Sequence, residues 1–495
     1  EHTVIAWKWA RTVKSPNPAN PIEVPLVNSW WLSKKKGKEA WVHATVQEGR
    51  VHYEVVHDSI GPADDGTINR KGAVSVADGT PISFDHIRSE SRAGCMGADL
   101  IAVVAEGPQG RLYISPTAEH TKAAEVPRPE GLSDAELPEQ ALGFCAQNYG
   151  LKRWADLFTN RQLVAMATLS DLVAEVREQI VVDSLIAGVP EGDRLDAGGS
   201  DAQAYADAVA TYLALGVSRA TDYNSTLAGW KSLRGGMRNV FACQALPMLW
   251  DFAEVDLFSD SSGNFLGQVD WVAKVLKNVP GDISGDVEQV GANVTSYGGT
   301  VISTDPPYYD NIGYSDLSDY FYVWLRRCLQ DIHPGVVGAM LTPKADELVA
   351  NRYRRGGKDG AENFFVDGFN AVFRRIRQGV TTDVPMTVYY AYKQQDAEAD
   401  GTSSTGWHTL LNGLIRAGWM ITATWPVRSE RGGRMLSVGT NALASSIVLA
   451  CRPRPVDADS ITRRLFVARL KSELPEALRT LMQGAIAPVD LAQAA

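Results

Sequence analysis

Clustered cysteine is the first thing this sequence lacks. Cys95, Cys145, Cys243, Cys328 and Cys451 are odd in number and widely scattered, and no two stand at metal-ligand or redox spacing. That excludes a disulfide-stapled scaffold and points to a reducing, cytoplasmic setting. Long apolar runs are missing as well: no stretch approaches the roughly 18 apolar residues that a membrane-crossing helix needs. No basic segment followed by an apolar one opens the chain, so no secretory signal is read there. Positive charge is scarce, with 48 Lys and Arg against 58 Asp and Glu and a net charge of -10. A protein that bound nucleic acid over its whole surface would be basic, so any such footprint must be local. An initiator Met is absent too. Glu1 leads straight into Val4-Ile5-Ala6-Trp7, and the chain stops at Ala495 just after an apolar helical pattern, so both ends are expected to be cut points.

What is present suffices for a large core. A chain of 495 residues, 45% of them hydrophobic, predicts two to four domains. Residues 1–120 read as a β-rich module of short strands, Val51 to Val56 among them. Leu100 to Ala105 and Arg111 to Ile114 are expected to form a hairpin through Gly107-Pro108-Gln109-Gly110. Residues 121–290 read as a Pro-, Glu- and Ala-rich linker (121–140) followed by a mostly helical region. There Leu163, Met166, Leu169, Val173, Val176 and Ile180 recur at helical spacing behind a Thr159/Gln162 capping box. Further helices are expected over about Ala202 to Val217 and Val269 to Val279.

From 291 to 455 the pattern turns α/β. Val301 to Thr304 reads as a short buried strand. Helices follow around Leu317 to Cys328, Phe364 to Phe373 and Trp407 to Ala417, and strands at Met386 to Tyr392, Ile421 to Val427 and Ser445 to Cys451. This order argues for a mostly parallel sheet covered by helices, its last two strands pairing as a hairpin. Residues 456–495 read as a C-terminal helical segment.

The strand at 301–304 ends on Asp305-Pro306-Pro307-Tyr308. Four such residues also suit a plain turn, but their place at a strand end, ahead of Tyr309, Asn311, Tyr314 and an aromatic helix, suits chemistry. Methyl transfer to an exocyclic amine is awkward because the nitrogen lone pair is delocalised into the ring. A site that performs it must hold the amine with acceptors and aim the lone pair. The Asp305 carboxylate and the Pro306 carbonyl supply two acceptors, and proline stiffens the turn. Tyr308 supplies a flat surface for a base flipped out of its duplex. Open α/β sheets place ligands beyond the C-terminal ends of their strands.

The stretch from Ser303 to Tyr314 resembles the long, Zn-ribbon-containing adenine-specific DNA methylases of bacteria and archaea. So do Asn148-Tyr149-Gly150, the segment from Gln244 to Glu254, and the segment from Gly439 to Ser446. The resemblance spans nearly the whole chain. It implies the second half of a Rossmann-like methyltransferase sheet, with an inserted β-rich degenerate zinc-ribbon module and a helical region. It also implies S-adenosylmethionine as methyl donor and adenine in DNA as acceptor. Asp in the first position of the tetrapeptide is commoner in adenine enzymes, and Ser in cytosine 4-amino enzymes. Catalytic roles thus fall to Asp305, Pro306, Pro307 and Tyr308, and donor contact to Asp305, Thr304 and Asp251, with Glu254 as a neighbour of the last.

Two departures from the family pattern matter. Its ribbon carries paired cysteines, whereas this chain has Ser15 and Asn20, then Ser75 and Asp78, at the matching positions. Ser and Asn are poor zinc ligands, one Asp cannot hold the ion alone, and His43, His52, His57 and His86 lack ligand spacing. A ribbon fold without metal is therefore expected. The class also needs a Gly-rich turn after a buried strand to approach the donor. Gly198-Gly199, Gly356-Gly357 and Gly432-Gly433 do not have that setting. The expectation is a fragment, a chain whose donor half is a separate polypeptide or upstream segment, or a degenerate homologue.

Three basic clusters are candidates for phosphate contact: Lys34, Lys35 and Lys36 after Trp30-Trp31; Arg352, Arg354, Arg355 and Lys358; and Arg428, Arg431 and Arg434. Solvated loops carry such charges too. Beside the adenine methyltransferase stand two alternatives: a noncatalytic DNA-binding or complex-forming homologue, and an amino-methyltransferase acting on cytosine or RNA.

Overall fold

The computed structural model describes residues 2–279, 281, 285–310, 312–390, 405–427 and 446–483. The chain divides into two compact units, Glu1–Gly285 with Tyr314–Lys344, and Asp286–Gly313 with Ala345–Ala495. Both mix helices with sheets.

The first unit is built around β1 (Val4–Lys14), a strand with neighbours on both sides. The strand β2 (Glu23–Leu26) pairs with its second half. A three-stranded sheet follows, β3 (Trp31–Ser33), β4 (Ala40–Gln47) and β5 (Arg50–Val56), then a smaller one of β6 (Ile68–Asn69), β7 (Gly72–Val74) and β8 (Pro81–Ser83). Ser83 caps α1 (Phe84–Arg92) by accepting from the His86 amide. The strand β9 (Gly97–Gly107) pairs antiparallel with β1 and, through Gly107 to Gly110, forms the expected hairpin with β10 (Gly110–Ile114). All of Leu100 to Ala105 is buried, which is why this strand reads as a continuous apolar run rather than an alternating one.

A short helix α2 (Ala118–Ala123) leads into 121–140. That segment is no free linker. Ala135 and Leu137 are buried, and the Leu137 amide donates to the Lys152 carbonyl at 2.7 Å. Next come α3 (Asn160–Ile186) and α4 (Ala202–Thr221). The expected capping box opens α3: Thr159 accepts from the Gln162 amide, and the Gln162 side chain accepts from the Thr159 amide at 3.0 Å. Fully buried Ala206, Ala210 and Ala214 keep α4 slim where its neighbours pack. A hairpin of β11 (Gly229–Lys231) and β12 (Gly236–Arg238) precedes β13 (Asp251–Val255) and α5 (Phe265–Leu276). The strand β13 returns to pair with β1, Trp7 opposite Glu254, so residues 1–120 do not complete their sheet alone.

Two later helices, α6 (Tyr314–Leu329) and α7 (Pro334–Val337), also belong to this unit. The sequence placed α6 in the catalytic half. Its aromatic face instead meets the helical region: Tyr320 stacks on Phe158 at 5.7 Å and donates to the Thr221 carbonyl at 2.6 Å.

In the second unit four strands lie in the order β14 (Ser303–Thr304), β15 (Met386–Tyr390), β17 (Ser446–Pro453), β16 (Trp419–Val427). The first pair is parallel and the other two are antiparallel, because β16 and β17 form the expected hairpin. Among the described residues the sheet is therefore mixed rather than mostly parallel. The strand expected over 301–304 is also shorter and less buried than its apolar residues suggested: β14 covers only Ser303–Thr304, Val301 is 65% exposed, and among the described residues β14 pairs with β15 alone. The helices α8 (Lys358–Gly379) and α9 (Thr405–Arg416) supply Phe365, Phe369, Phe373, Leu410 and Leu414 to a core shared with Val388, Tyr390 and Leu449. Gly418, at a φ of 85°, ends α9 as expected. The last helix is α10 (Arg463–Gln483). No helix among the described residues is long and apolar enough to cross a membrane.

Candidate functional site

Asp305 to Tyr308 lie just beyond the end of β14, whose Thr304 stands opposite Val388 of the parallel strand β15. Thr304 is half-buried and Asp305 is exposed. The two prolines fix φ through the turn and hold the carboxylate at the strand's mouth. The Tyr308 hydroxyl donates to Asp305 Oδ1 at 2.8 Å. Its ring meets the buried Tyr390 edge-on, with centroids 5.4 Å apart, and Tyr390 in turn lies 5.8 Å from Trp407 of α9. Strand end, turn and helix start thus gather three aromatic rings beside one exposed carboxylate.

Tyr309 anchors the turn from behind. It sits at a φ of 41°, unusual for a bulky residue. Three contacts hold it there. Its ring packs on Phe365 at 5.1 Å, its carbonyl accepts from the Ala350 amide at 2.9 Å, and its own amide donates to the Pro307 carbonyl at 3.2 Å. Burial, then the negative charges of Glu362 and Asp310, push its phenol up to about 12, so it remains protonated at neutral pH. Gly406 in α9 matters here. A Cβ on it would come within 3.1 Å of Tyr309 Cβ and 3.2 Å of the Tyr390 hydroxyl, so glycine lets the helix start this close.

The sequence singled out Asp305 to Tyr308 but not Tyr390 or Trp407. Both lie where an element meets this end of the sheet, one at a strand's last residue and one in a helix's first turn. That position was the available signal.

The other candidates are dispersed. Asp251 is in β13 of the first unit, where its carboxylate pairs with the Lys8 ammonium and accepts from the Asn28 amide at 2.9 Å and the Asn28 side chain at 2.7 Å. Glu254 takes a two-pronged bond from Arg161 at 2.6 and 2.9 Å, and that guanidinium lies over the Trp9 ring at 4.2 Å. Both acids are buried and engaged inside the first unit, as packing elements would be. Lys34, Lys35 and Lys36 are exposed at the tip between β3 and β4, Lys34 lying over the Trp31 ring at 5.4 Å. Arg354 pairs with Glu347 at 2.8 Å, and Arg355 lies 3.4 Å over the Phe364 ring. Their loop touches the candidate site, since Ala350 donates to Tyr309. Asn311, Arg428, Arg431, Arg434 and the Gly439 to Ser445 stretch fall outside the described residues.

At the expected ribbon, the turns after β1 and β7 meet. Asp78 Oδ2 accepts from the Asn17 side chain at 2.8 Å and from the Asn20 side chain at 3.1 Å. Ser15 and Ser75 are buried beside them, accepting from the Asn17 and Ala77 amides. His86 bonds the Lys14 carbonyl and His57 the Tyr113 carbonyl. No group of three or more His, Cys, Asp or Glu is placed to hold a metal among the described residues.

The expected donor is a sulfonium nucleoside, which needs a backbone cradle as well as acceptors. Between Thr304 and Asp310 the chain offers a carboxylate and rings but no glycine. The residues at the strand's mouth therefore do not fit the whole donor.

No protein-family model, no curated protein and no solved structure matches this chain.

Proposed function

We propose that the second unit carries the acceptor side of an S-adenosylmethionine-dependent DNA methyltransferase acting on the 6-amino group of adenine, with the donor side supplied by another segment or chain. One observation carries this reading: an exposed Asp305 carboxylate and the Tyr308 ring are held together beyond the end of a strand in a parallel pair. A flipped adenine laid against Tyr308 brings its amine to Asp305. An amine N–H then replaces the Tyr308 hydroxyl as donor to Oδ1, and the Pro306 carbonyl accepts a hydrogen bond from the second N–H. Both hydrogen bonds orient the amine and so its nitrogen lone pair.

Two further features support the reading. The strand order, a parallel pair followed by a reversed hairpin, fits the second half of a methyltransferase sheet. The bonds from Asn17 and Asn20 to Asp78 join two turns at the positions where the family resembled here has thiolates.

The test is methyl transfer to DNA by the full chain, with and without the family's upstream segment added in trans, followed by nucleoside analysis. Methylated adenine that disappears in Asp305→Ala is expected. Full activity in that variant defeats the reading, and methylated cytosine or RNA redirects its substrate. Tight donor binding by the chain alone defeats the split site.

A further inference from the structure

The helix α3 changes character halfway along. Its first half packs, with Leu163, Met166, Ala167, Ser170 and Val173 buried. Beyond Val173 none of its residues is buried. One side of this second half still faces α4, where Arg177 donates to Asp207 at 2.6 Å and to the Gln203 side chain at 2.7 Å. At 3.6 residues per turn, Glu175, Glu178, Val182, Leu185 and Ile186 share the side turned away from Arg177, with Asp183 beside them. All are exposed, Val182 by 50% and Ile186 by 80%.

Two features set this face apart from an ordinary solvated one. A helix side that meets water normally carries polar residues, yet the tip of α3 presents Val182, Leu185 and Ile186 there. Its charge is also one-sided. The cations of α3 are bound elsewhere, Arg161 to Glu254 and Arg177 to Asp207. Glu175, Glu178 and Asp183 have no cation beside them among the described residues, and Asp183 accepts from the Gln179 side chain at 2.8 Å. The last turn of α3 thus holds an acid and no basic residue, although cations are what stabilise the negative end of a helix dipole.

The pattern of charge selects the occupant. In a parallel pairing with a second copy, these acids would lie against the same acids, which repel. In an antiparallel pairing they would be pressed onto Val182 and Leu185 of the other copy, losing water without gaining a partner. A basic amphipathic helix meets neither conflict, because its apolar stripe and its flanking cations each find their complement. We propose that the outer face of the second half of α3 docks such a helix from a partner protein. Its apolar residues cover Val182, Leu185 and Ile186, and its lysines or arginines lie on Glu175, Glu178 and Asp183. The surface lies wholly within the first unit and does not depend on the methyltransferase reading.

Fluorescence anisotropy with two labelled helical peptides of about 18 residues, five turns each, tests it. Both carry leucine along one side; the remaining positions are lysine in one and glutamate in the other. The lysine peptide should bind the full chain one-to-one, and the glutamate peptide should not. Glu175→Lys with Glu178→Lys should weaken the lysine peptide roughly tenfold or more, and so should Leu185→Ser with Ile186→Ser. Asp64→Lys with Asp65→Lys makes the same change of net charge in an exposed loop elsewhere, and should leave binding within about twofold of the parent. Every changed position is exposed, and melting curves check that each variant folds. The proposal is overturned by a lysine peptide that does not bind, by undiminished binding to the Glu175/Glu178 variant, or by an equal loss in the Asp64/Asp65 variant. A dimer of the chain in sedimentation that Ile186→Glu dissociates also overturns it, making a second copy the occupant.

Discussion

The Tyr308 hydroxyl donates to Asp305 Oδ1 across a turn of four residues, at 2.8 Å. The ring and the hydroxyl of Tyr308 therefore do different work. The hydroxyl holds the carboxylate, and under the proposed function it would give way to an incoming amine. The ring packs edge-on against Tyr390, and under the proposed function it is the stacking surface for the base. In a complete methyl-transfer assay Tyr308→Phe should stay within about tenfold of the parent, since one net hydrogen bond is worth about 1 kcal/mol. Tyr308→Ala should lose more, because stacking a base on an aromatic ring contributes about 1–3 kcal/mol. Equal rates for the Phe and Ala variants would remove the ring from the mechanism.

The knot at Asp78 gives a pH signature. The Thr80 amide and side chain, then Asn20 and Asn17, hold its carboxyl well below the usual carboxylate range. A depressed pKa contributes stability above the unfolded value of about 3.9, and that contribution fades as pH falls through the folded value. Asp78→Ala should therefore melt below the parent by a margin that is steady from about pH 7 to pH 5 and shrinks below about pH 4. Melting scans across that range decide it, and a margin that grows toward acid contradicts the assignment.

Local signals in the sequence carried furthest. The β9–β10 hairpin, the Thr159–Gln162 box and the tetrapeptide at a strand end each depend on residues a few positions apart, and each is found in place. Long-range partners were not legible. Periodicity says which face of an element is apolar but not what covers it. The aromatic face of α6 was plain, yet nothing local assigned it to Phe158. Asp251 and Glu254 looked like acids available for ligands, because the cations that bind them, Lys8 and Arg161, come from distant segments. In the candidate site Tyr308 was visible and Tyr390 was not, for the same reason.

Asp207 is a deeply engaged acid of the helical region. Its side chain is fully buried, accepting from Arg177 and Arg194 at 2.6 Å each and from the Leu195 amide at 3.1 Å. Burial alone would raise its pKa. The bonds from Arg194, Arg177 and Leu195 outweigh that and lower it. Removing one partner of a buried pair typically costs about 3–5 kcal/mol, less where a partner reaches solvent as Arg194 does. Asp207→Ala should thus reduce the free energy of urea unfolding by about 2–3 kcal/mol at neutral pH. The deficit should narrow as pH drops below about 4, where the parent's carboxylate begins to protonate. A deficit under about 0.5 kcal/mol would make Asp207 an ordinary surface-like substitution.

The two described basic clusters should behave differently toward DNA, because their charges are differently committed. Lys34, Lys35 and Lys36 are exposed at a hairpin tip, with Trp31 under Lys34, whereas the nearby Lys38 ammonium is tied to the Gln109 carbonyl. Arg354 is held by Glu347, and its loop supports Tyr309 through Ala350. Every DNA phosphate that a variant no longer neutralises reduces the slope of log affinity against log salt by about 0.9. If the tip lies on the backbone, replacing all three lysines by alanine should flatten that slope by up to about 2.7, weakening all duplex sequences alike. Arg354→Ala should leave the slope unchanged and lower the melting temperature instead, since it breaks a support of the loop rather than a bond to phosphate. Fluorescence anisotropy of a labelled duplex over a salt series separates the two. An unchanged slope in the triple variant would make the tip a solvated hairpin with no part in phosphate contact.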